Sequence, residues 1–410
     1  MDKKLVITGM GAVTPIGIGV QEYWDNLMSC KTGIDYIQNI DTDELPIKFA
    51  GELHDFNPKD HIPRKKAGEM DRFMQLAYVA AGQAISEVEI DPYRTGIVVG
   101  TALNGIGTIT ETERSYLTSA MKRVGPRFLP KSLGNVCASQ IAIEHNIHGP
   151  SMTLNTACAS GGDAITLSAM MLQFGMADMM VAVGAESGTE PILIQSLASA
   201  KALSTNNDDP QHACRPFDKD RDGFVLGEGG GAIVIETEEH AKARGAKIYA
   251  ELAGYGSTCD AHHMTAPDPE AKAGSKAIKD AYDECCKEGI IDPAKVYVNA
   301  HGTGTPLNDK SETIALKKVF GDDAYKITIS STKSMTGHML GGTGAVEAIA
   351  SILTIKNGIV PPTINLDVPD PECDLNYTPN VAAKGEFDCA LSTSLGFGGH
   401  NACIGFKKYE

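Results

Sequence analysis

The ten cysteines of this 410-residue chain include no CxxC pair, and two of them, Cys285 and Cys286, are adjacent. Such usage suits neither a zinc knuckle nor a simple disulfide framework; it is the pattern of reduced, cytosolic cysteines. Apolar runs of membrane-spanning length, about 20 residues, are also missing. Positive charge is scarce: 36 Lys and Arg stand against 52 Asp and Glu, for a formal net charge of -16. A general nucleic-acid binder needs the opposite balance. The first strand-like run, Leu5-Val-Ile-Thr8, is too short for a signal-peptide core and no cleavage site follows it. A soluble, cytoplasmic protein with neither nucleic-acid nor membrane partners is therefore expected. A dinucleotide-binding fingerprint is absent as well. Gly9, Gly11 and Gly17 break the GxGxxG spacing, so 9–17 reads as a tight turn between a strand and a helix over 20–30.

Glycine is abundant instead, with 43 residues against a usual share of roughly 7%. That excess implies tight turns and close backbone approaches. Apolar and charged contents of 42% and 21% are those of a globular chain, long enough for about two domains or one duplicated fold. Helical periodicity is expected over 71–88, 103–121, 159–174, 271–288, 311–320 and 344–356. Buried strands are expected at 95–100, 152–156, 179–183, 249–253, 296–299, 327–331, 389–394 and 402–406. The alternation argues an α/β architecture with parallel sheets. The order of motifs after residue 248 partly repeats the order before it. Two similar halves, 1–247 and 248–410, are expected, although no convincing sequence repeat joins them. Residues 122–150, rich in Pro and Gly, read as turns.

Cys158 falls where the strand 152–156 turns into the helix 159–174. Ala157, Ala159, Ser160, Gly161 and Gly162 leave it sterically open. A helix N-terminus favours negative charge, so a thiol there is expected to lose its proton easily. The same position also reads as a small buried cysteine packing a helix start. Three further segments follow strands directly: Asn299-Ala-His301-Gly-Thr-Gly-Thr305, Ser331-Thr-Lys333-Ser-Met-Thr-Gly-His338 and Leu395-Gly-Phe397-Gly-Gly-His400-Asn401. In parallel α/β folds ligands sit beyond the carboxyl ends of strands. A cysteine, two histidines and a lysine would converge there, which suggests nucleophilic catalysis.

Two motifs that resemble metal sites do not complete one. Asp218-Lys-Asp-Arg-Asp-Gly223 opens like a calcium loop, but its twelfth position is Gly229 rather than a bidentate Glu. Glu144, His145 and His148 lack further ligands and read as part of an exposed turn. No metal is expected.

The segments Thr156-Ala-Cys-Ala-Ser160, Arg221-Asp-Gly-Phe-Val-Leu-Gly227, Asn299-Ala-His-Gly-Thr303, Lys333-Ser-Met-Thr-Gly-His338, Pro361-Pro-Thr-Ile-Asn365 and Gly396-Phe-Gly-Gly399 run in one order across nearly the whole chain. Together they resemble the β-ketoacyl-acyl-carrier-protein synthases, condensing enzymes of the thiolase superfamily, and within them the chain-elongating branch. The resemblance implies a thiolase-like α/β fold: two βαβαβαββ halves in α-β-α-β-α layers, usually assembled as a homodimer. It implies no permanently bound cofactor, the substrates arriving on the phosphopantetheine arm of acyl carrier protein. Cys158 would hold the acyl chain as a thioester. His301 and His338 would hydrogen-bond the malonyl thioester oxygen during decarboxylation. Lys333, paired with Glu347 or Glu312, would keep a histidine neutral. The N–H groups of Cys158 and Phe397 would form an oxyanion hole, with the Phe397 ring as a gate. Thr303, Thr305 and Thr265 would bind the arm, unless the first two merely cap the turn. Leu103 would line the bottom of the acyl pocket, and Asp309 would support the site. Arg64, Lys65, Lys66, Arg127 and Lys131 are candidates for docking the acidic carrier. Three other readings stay open: a polyketide ketosynthase, a chain-length partner, which would lack the cysteine, and a thioesterase, which would need a positioned water.

Overall fold

The computed structural model describes residues 3–86 and 88–409. Its first strand, β1 (Leu5–Thr14), is buried at every position and runs straight through the glycine-rich segment read above as a turn. Helix α1 (Arg72–Ile85) explains the glycines. A Cβ on Gly9 would stand 2.1 Å from the Ala84 carbonyl oxygen, and one on Gly11 2.0 Å from that of Ala80. Glycine there lets helix backbone rest directly on strand backbone. Asp71 caps α1 by accepting from Phe73 N–H. The expected end of this helix at Val88 runs through Glu87, which lies outside the described residues; the helix stops at Ile85.

The remaining major strands are β2 (Thr95–Gly100), β3 (Ser151–Leu154), β4 (Met179–Glu186), β5 (Gly229–Thr237), β6 (Ala250–Cys259), β7 (Val296–Asn299), β8 (Thr328–Ser330), β9 (Cys389–Gly396) and β10 (His400–Lys407). They line up as β8-β7-β9-β10-β6-β1-β5-β4-β2-β3. Each run of five has the same internal order: third, second, fourth, fifth, first. The duplication left no clear mark on the sequence but is plain in the topology. The halves join where β1 pairs β6 through Leu5–Leu252, Val6–Glu251 and Ile7–Ala250. Only the first links of each half are parallel; β4–β5, β5–β1, β9–β10 and β10–β6 run antiparallel. The parallel pairing expected from the alternation of strands and helices thus holds for these first links alone. Helix α4 (Pro191–Ser199) lies between β4 and β5, which still pair antiparallel, and β9 turns straight into β10.

The strands read as continuous apolar runs because both faces are covered. In β4, Met180 and Ala182 face one core while Met179, Val181, Val183 and Ala185 face another. The first core is central. It holds α3 (Ser160–Gln173) and α7 (Thr343–Asn357) between the two halves, where Ala164, Ile165 and Leu172 meet Val346, Ile349 and Ile352 with strand residues of both halves around them. Helix α7 is buried on nearly all sides, so truncating Ile349 to Ala removes about 2–5 kcal/mol. Helices α1 and α2 (Asn135–His145) cover one outer face; α5 (Lys272–Cys285) and α6 (Pro306–Phe320) cover the other. The layers are α-β-α-β-α.

Helix α2 falls in the stretch expected to be turns. It puts Glu144 and His145 on a helix end, where Glu144 pairs with Lys66; His148 stacks on Tyr93. Asp218 accepts from the N–H groups of Asp220, Asp367 and Val368, so the calcium-like motif is a hydrogen-bonded turn. Helix α6 starts at Pro306, five residues before the expected position, since proline suits a first helical turn.

Candidate active site

Strand β3 is shorter than expected and half-exposed, because it forms the free edge of the sheet. The chain then turns sharply through Ala157, whose φ of 51° lies in the left-handed region rarely adopted by non-glycine residues. Ser160 braces this elbow: its Oγ accepts from Thr156 N–H (2.9 Å) and donates to the Ala157 carbonyl (2.7 Å). Cys158 sits in the single turn Ala157–Ala159, one step before α3. It is buried, with 7% of its surface exposed.

The other half delivers its residues from strand ends. His301 lies just beyond β7. Its backbone N–H donates to Glu312 Oε1 (2.8 Å) and Thr393 Oγ1 (2.9 Å). His338 lies in the β8–α7 connection and uses Nδ1 on Thr343 Oγ1, 3.1 Å away. The two imidazoles stand edge to face with centroids 5.2 Å apart, and Phe224 packs edge-on against His338. The Cys158 sulfur and a ring nitrogen of each histidine all lie within 4.8 Å of one another. Among the described residues no other group of three His, Cys, Asp or Glu side chains comes so close. Glycines allow the two loops to meet: a Cβ on Gly344, at the start of α7, would stand 2.5 Å from Gly162 N in α3.

Lys333 is fully buried, and its ammonium contacts Glu347 Oε1 at 2.6 Å. Glu347, not Glu312, is therefore its partner. Glu312 is committed to the backbone of His301 and Gly302 and to Thr393 Oγ1. Asp309 is also structural in its contacts, accepting from the N–H groups of Phe217, Thr303 and Gly304.

Burial holds both histidines well below the usual imidazole range, and the Lys333 charge adds to that for each. Both are neutral. The thiol departs from expectation. Burial pushes Cys158 up to about 11, against the pull of the Phe397 N–H, Lys333 and its own N–H. Desolvation outweighs the helix terminus, so the resting group is a thiol. The Phe397 and Cys158 N–H groups that pull the thiol down are the two expected to form an oxyanion hole. Phe397 caps the β9–β10 hairpin, followed by Gly398 and Gly399 at φ 85° and 77°, and the residue is 39% exposed.

These groups open on a cavity of about 510 Å³, lined by Cys158, His301, His338 and Phe397 together with Leu103, Thr265, Thr303 and Thr305. Thr303 and Thr305 share a hydroxyl contact of 3.1 Å, so they both brace the turn and face the cavity. The apolar end is closed by Leu103, Leu193 and Leu340, which converge on Gly188. The basic candidates lie on the surface. Arg64, Lys65 and Arg127 are exposed and Lys131 is half-buried; Arg127 reaches to 3.9 Å from a Cβ position on Gly68, next to the short helix Arg64–Ala67. Lys66 is not free: it pairs with Glu144 and lies over the Tyr78 ring. Thr343, Thr393 and Glu186, which hold the reactive loops, escaped the sequence reading. A lone Glu ending an otherwise apolar strand was the one available signal.

A duplicated five-layer α/β fold with a buried cysteine and two neutral histidines at its centre defines a condensing-enzyme architecture. The chain belongs to the β-ketoacyl synthase family, whose N-terminal domain model matches residues 2–241 and whose C-terminal domain model matches residues 249–367. It is 45% identical to 3-oxoacyl-[acyl-carrier-protein] synthase 2 of Synechocystis and 46% identical to the protein of that name from Staphylococcus aureus, in each case over 100% of this chain and 99% of the relative. Among solved structures it superposes on a type II polyketide ketosynthase captured in complex with its acyl-carrier protein (TM-score 0.91, 32% identity) and on a β-ketoacyl synthase from Burkholderia phymatum (TM-score 0.89, 32% identity), both over 100% of each chain.

Proposed function

We propose that this protein is an elongating 3-oxoacyl-acyl-carrier-protein synthase, an acyltransferase of fatty-acid synthesis. It joins an acyl chain to malonyl-acyl carrier protein by decarboxylative Claisen condensation. The observation that carries this reading is the meeting of Cys158, His301 and His338 within 4.8 Å in a cavity with an apolar end.

In the first half-reaction the Cys158 thiol gives up its proton and its sulfur attacks the acyl thioester. A new C–S bond forms, the carrier's C–S bond breaks, and the carrier leaves as a thiol. The N–H groups of Cys158 and Phe397 stabilise the oxyanion. In the second, malonyl-carrier protein loses carbon dioxide as negative charge grows on its thioester oxygen. Neutral His301 and His338 donate hydrogen bonds to that oxygen, each from its single ring N–H. The enolate carbon attacks the acyl-enzyme, the Cys158 C–S bond breaks, and the cysteine recovers a proton. Thr265, Thr303 and Thr305 hold the phosphopantetheine arm, and no resident cofactor takes part. Higher identity to the fatty-acid relatives than to the polyketide structure favours the fatty-acid pathway.

The carrier docks on Arg64, Lys65, Arg127 and Lys131. The protein acts as a homodimer through the free edge of β3, since β8, at the other end of the sheet, is covered by residues 376–378. The ten free cysteines support a place in the cytoplasm; separately, no helix among the described residues is long and apolar enough to cross a membrane. Incubation with acyl- and malonyl-carrier protein, followed by chromatography of the products, tests the reaction. One carbon dioxide per 3-oxoacyl product supports condensation; free fatty acid without carbon dioxide refutes it.

A further inference from the structure

Glu186 is the last residue of β4 and is fully buried, yet no step above uses it. Its carboxylate gathers donors from two different loops. Thr101 Oγ1 (3.2 Å), Ala102 N–H (2.6 Å) and Leu103 N–H (3.3 Å) come from the turn after β2. Gly341 N–H (3.3 Å) comes from the turn Leu340–Gly342, three residues beyond His338. Leu103 and Leu340, carried by those two turns, close the apolar end of the cavity with Leu193. A third tie reaches the cysteine elbow, where Asn155 Nδ2 donates to the Ala102 carbonyl at 2.7 Å. Packing leaves no slack: a Cβ on Gly341 would stand 2.6 Å from Ala102 N and 2.9 Å from Glu186 Oε2.

We propose that Glu186 is a positioning residue that locks the blind end of the acyl pocket to the His338 loop, so that the seating of the acyl chain sets the placement of the decarboxylating histidine. A chain tip pressing on Leu103 and Leu340 bears on two turns that share one carboxylate, and one of these turns continues directly into His338. Among the described residues Gly341 N–H is the single backbone link between the carboxylate and that side, so an acceptor that still served Ala102 but released Gly341 would uncouple pocket from histidine. The inference rests on the condensation reading and deepens it, because it makes acyl-chain length a property of this tie as well as of the lining leucines.

The test uses the full-length protein and two variants, Glu186→Gln and Thr101→Val. Gln brings an NH₂ group against a ring of donors and cannot accept from all four; Val removes only the hydroxyl donor and keeps the shape. Three quantities are compared: acylation of Cys158, carbon dioxide release from malonyl-carrier protein by the acylated enzyme, and the ratio of kcat/KM for long over short acyl chains. In Glu186→Gln, acylation by a short chain is expected to stay within about twofold. Carbon dioxide release and the chain-length ratio should each fall by about tenfold, the scale of a lost hydrogen bond to a charged group. Thr101→Val should shift the same two readouts in the same direction, by less. Equal losses in both half-reactions, or a chain-length ratio that does not move, overturn the proposal. If Glu186→Gln does not fold, Thr101→Val decides alone, and an unchanged ratio with unchanged carbon dioxide release overturns it. Should the unmodified protein release no carbon dioxide, the condensation reading fails instead.

Discussion

The two halves share a strand order but not a chemistry. In the first, β3 reaches its following helix through residues 155–159, and that short elbow presents Cys158. In the second, β8 reaches α7 through residues 331–342, and the longer connection holds Lys333 and His338. The equivalent turns after β2 and β7 differ in the same way: one supplies Leu103 to the pocket end, the other His301. The halves also differ at their outer edges, where β3 is half-exposed and β8 is covered. The lesson is a division of labour. Duplication placed two sets of strand ends face to face, and in the mechanism we propose the short elbow takes the acyl group while the longer connection carries charge-stabilising groups.

That division makes its strongest claim at Cys158. Replacing Cys158 with Ala should lower condensation by about 10⁴-fold or more while circular dichroism stays that of the unmodified protein. Elongation that survives through another cysteine would end the assignment. On the opposite side, His301→Ala or His338→Ala should slow carbon dioxide release by about 10²–10³-fold and leave Cys158 open to acylation. If both variants decarboxylate normally, the halves are not divided as described.

Lys333→Ala probes the charge behind the histidines. It strands Glu347 in the core, and breaking a buried pair this way costs about 3–5 kcal/mol, readable by denaturant unfolding. A loss within the scatter of surface substitutions would mean that the pair contributes nothing. Acidity offers a gentler probe. Both histidines have folded values below the ordinary 6.5, so the unfolded chain takes up these protons first. The stability they contribute is complete above about pH 6.5 and is lost as pH falls through the depressed folded values. Decarboxylation should be level from pH 8 to 6.5 and decline only below that; a midpoint above 6.5 would contradict neutral, depressed histidines. The smallest effect concerns the surface. Charge reversal at Lys65 and Arg127 together should raise KM for carrier-bound substrate several-fold at low salt, with turnover of a small acyl thioester unchanged.

Much of this could be read from residues. Segment 296–299 has the same ends in sequence and structure, because a short apolar run bounded by polar turns leaves little choice. Cys158, His301, Lys333 and His338 could be listed together because each follows a strand. What stayed hidden depended on neighbours distant in sequence. Gly9 and Gly11 looked like a turn until α1 was seen lying on them. Helix α2 mixes Cys137, Ser139, Gln140 and Glu144 among its apolar residues, so it lacks a clean helical stripe. Glu312 and Glu347 were equally plausible partners for Lys333, since nothing in their spacing says which carboxylate a loop will satisfy first. The thiol was expected to ionise easily from its helix-end position; burial, a property of the whole fold, reversed that.

Mass spectrometry of the intact protein and of its peptides tests the central claim most directly. The protein is first exposed to acyl-carrier protein alone and then to malonyl-carrier protein. One acyl mass is predicted to appear on the peptide bearing Cys158 and to vanish on the second addition, as a product two carbons longer forms on the carrier. Acylation at another residue, or an acyl-Cys158 that persists or is released by water alone, would contradict it.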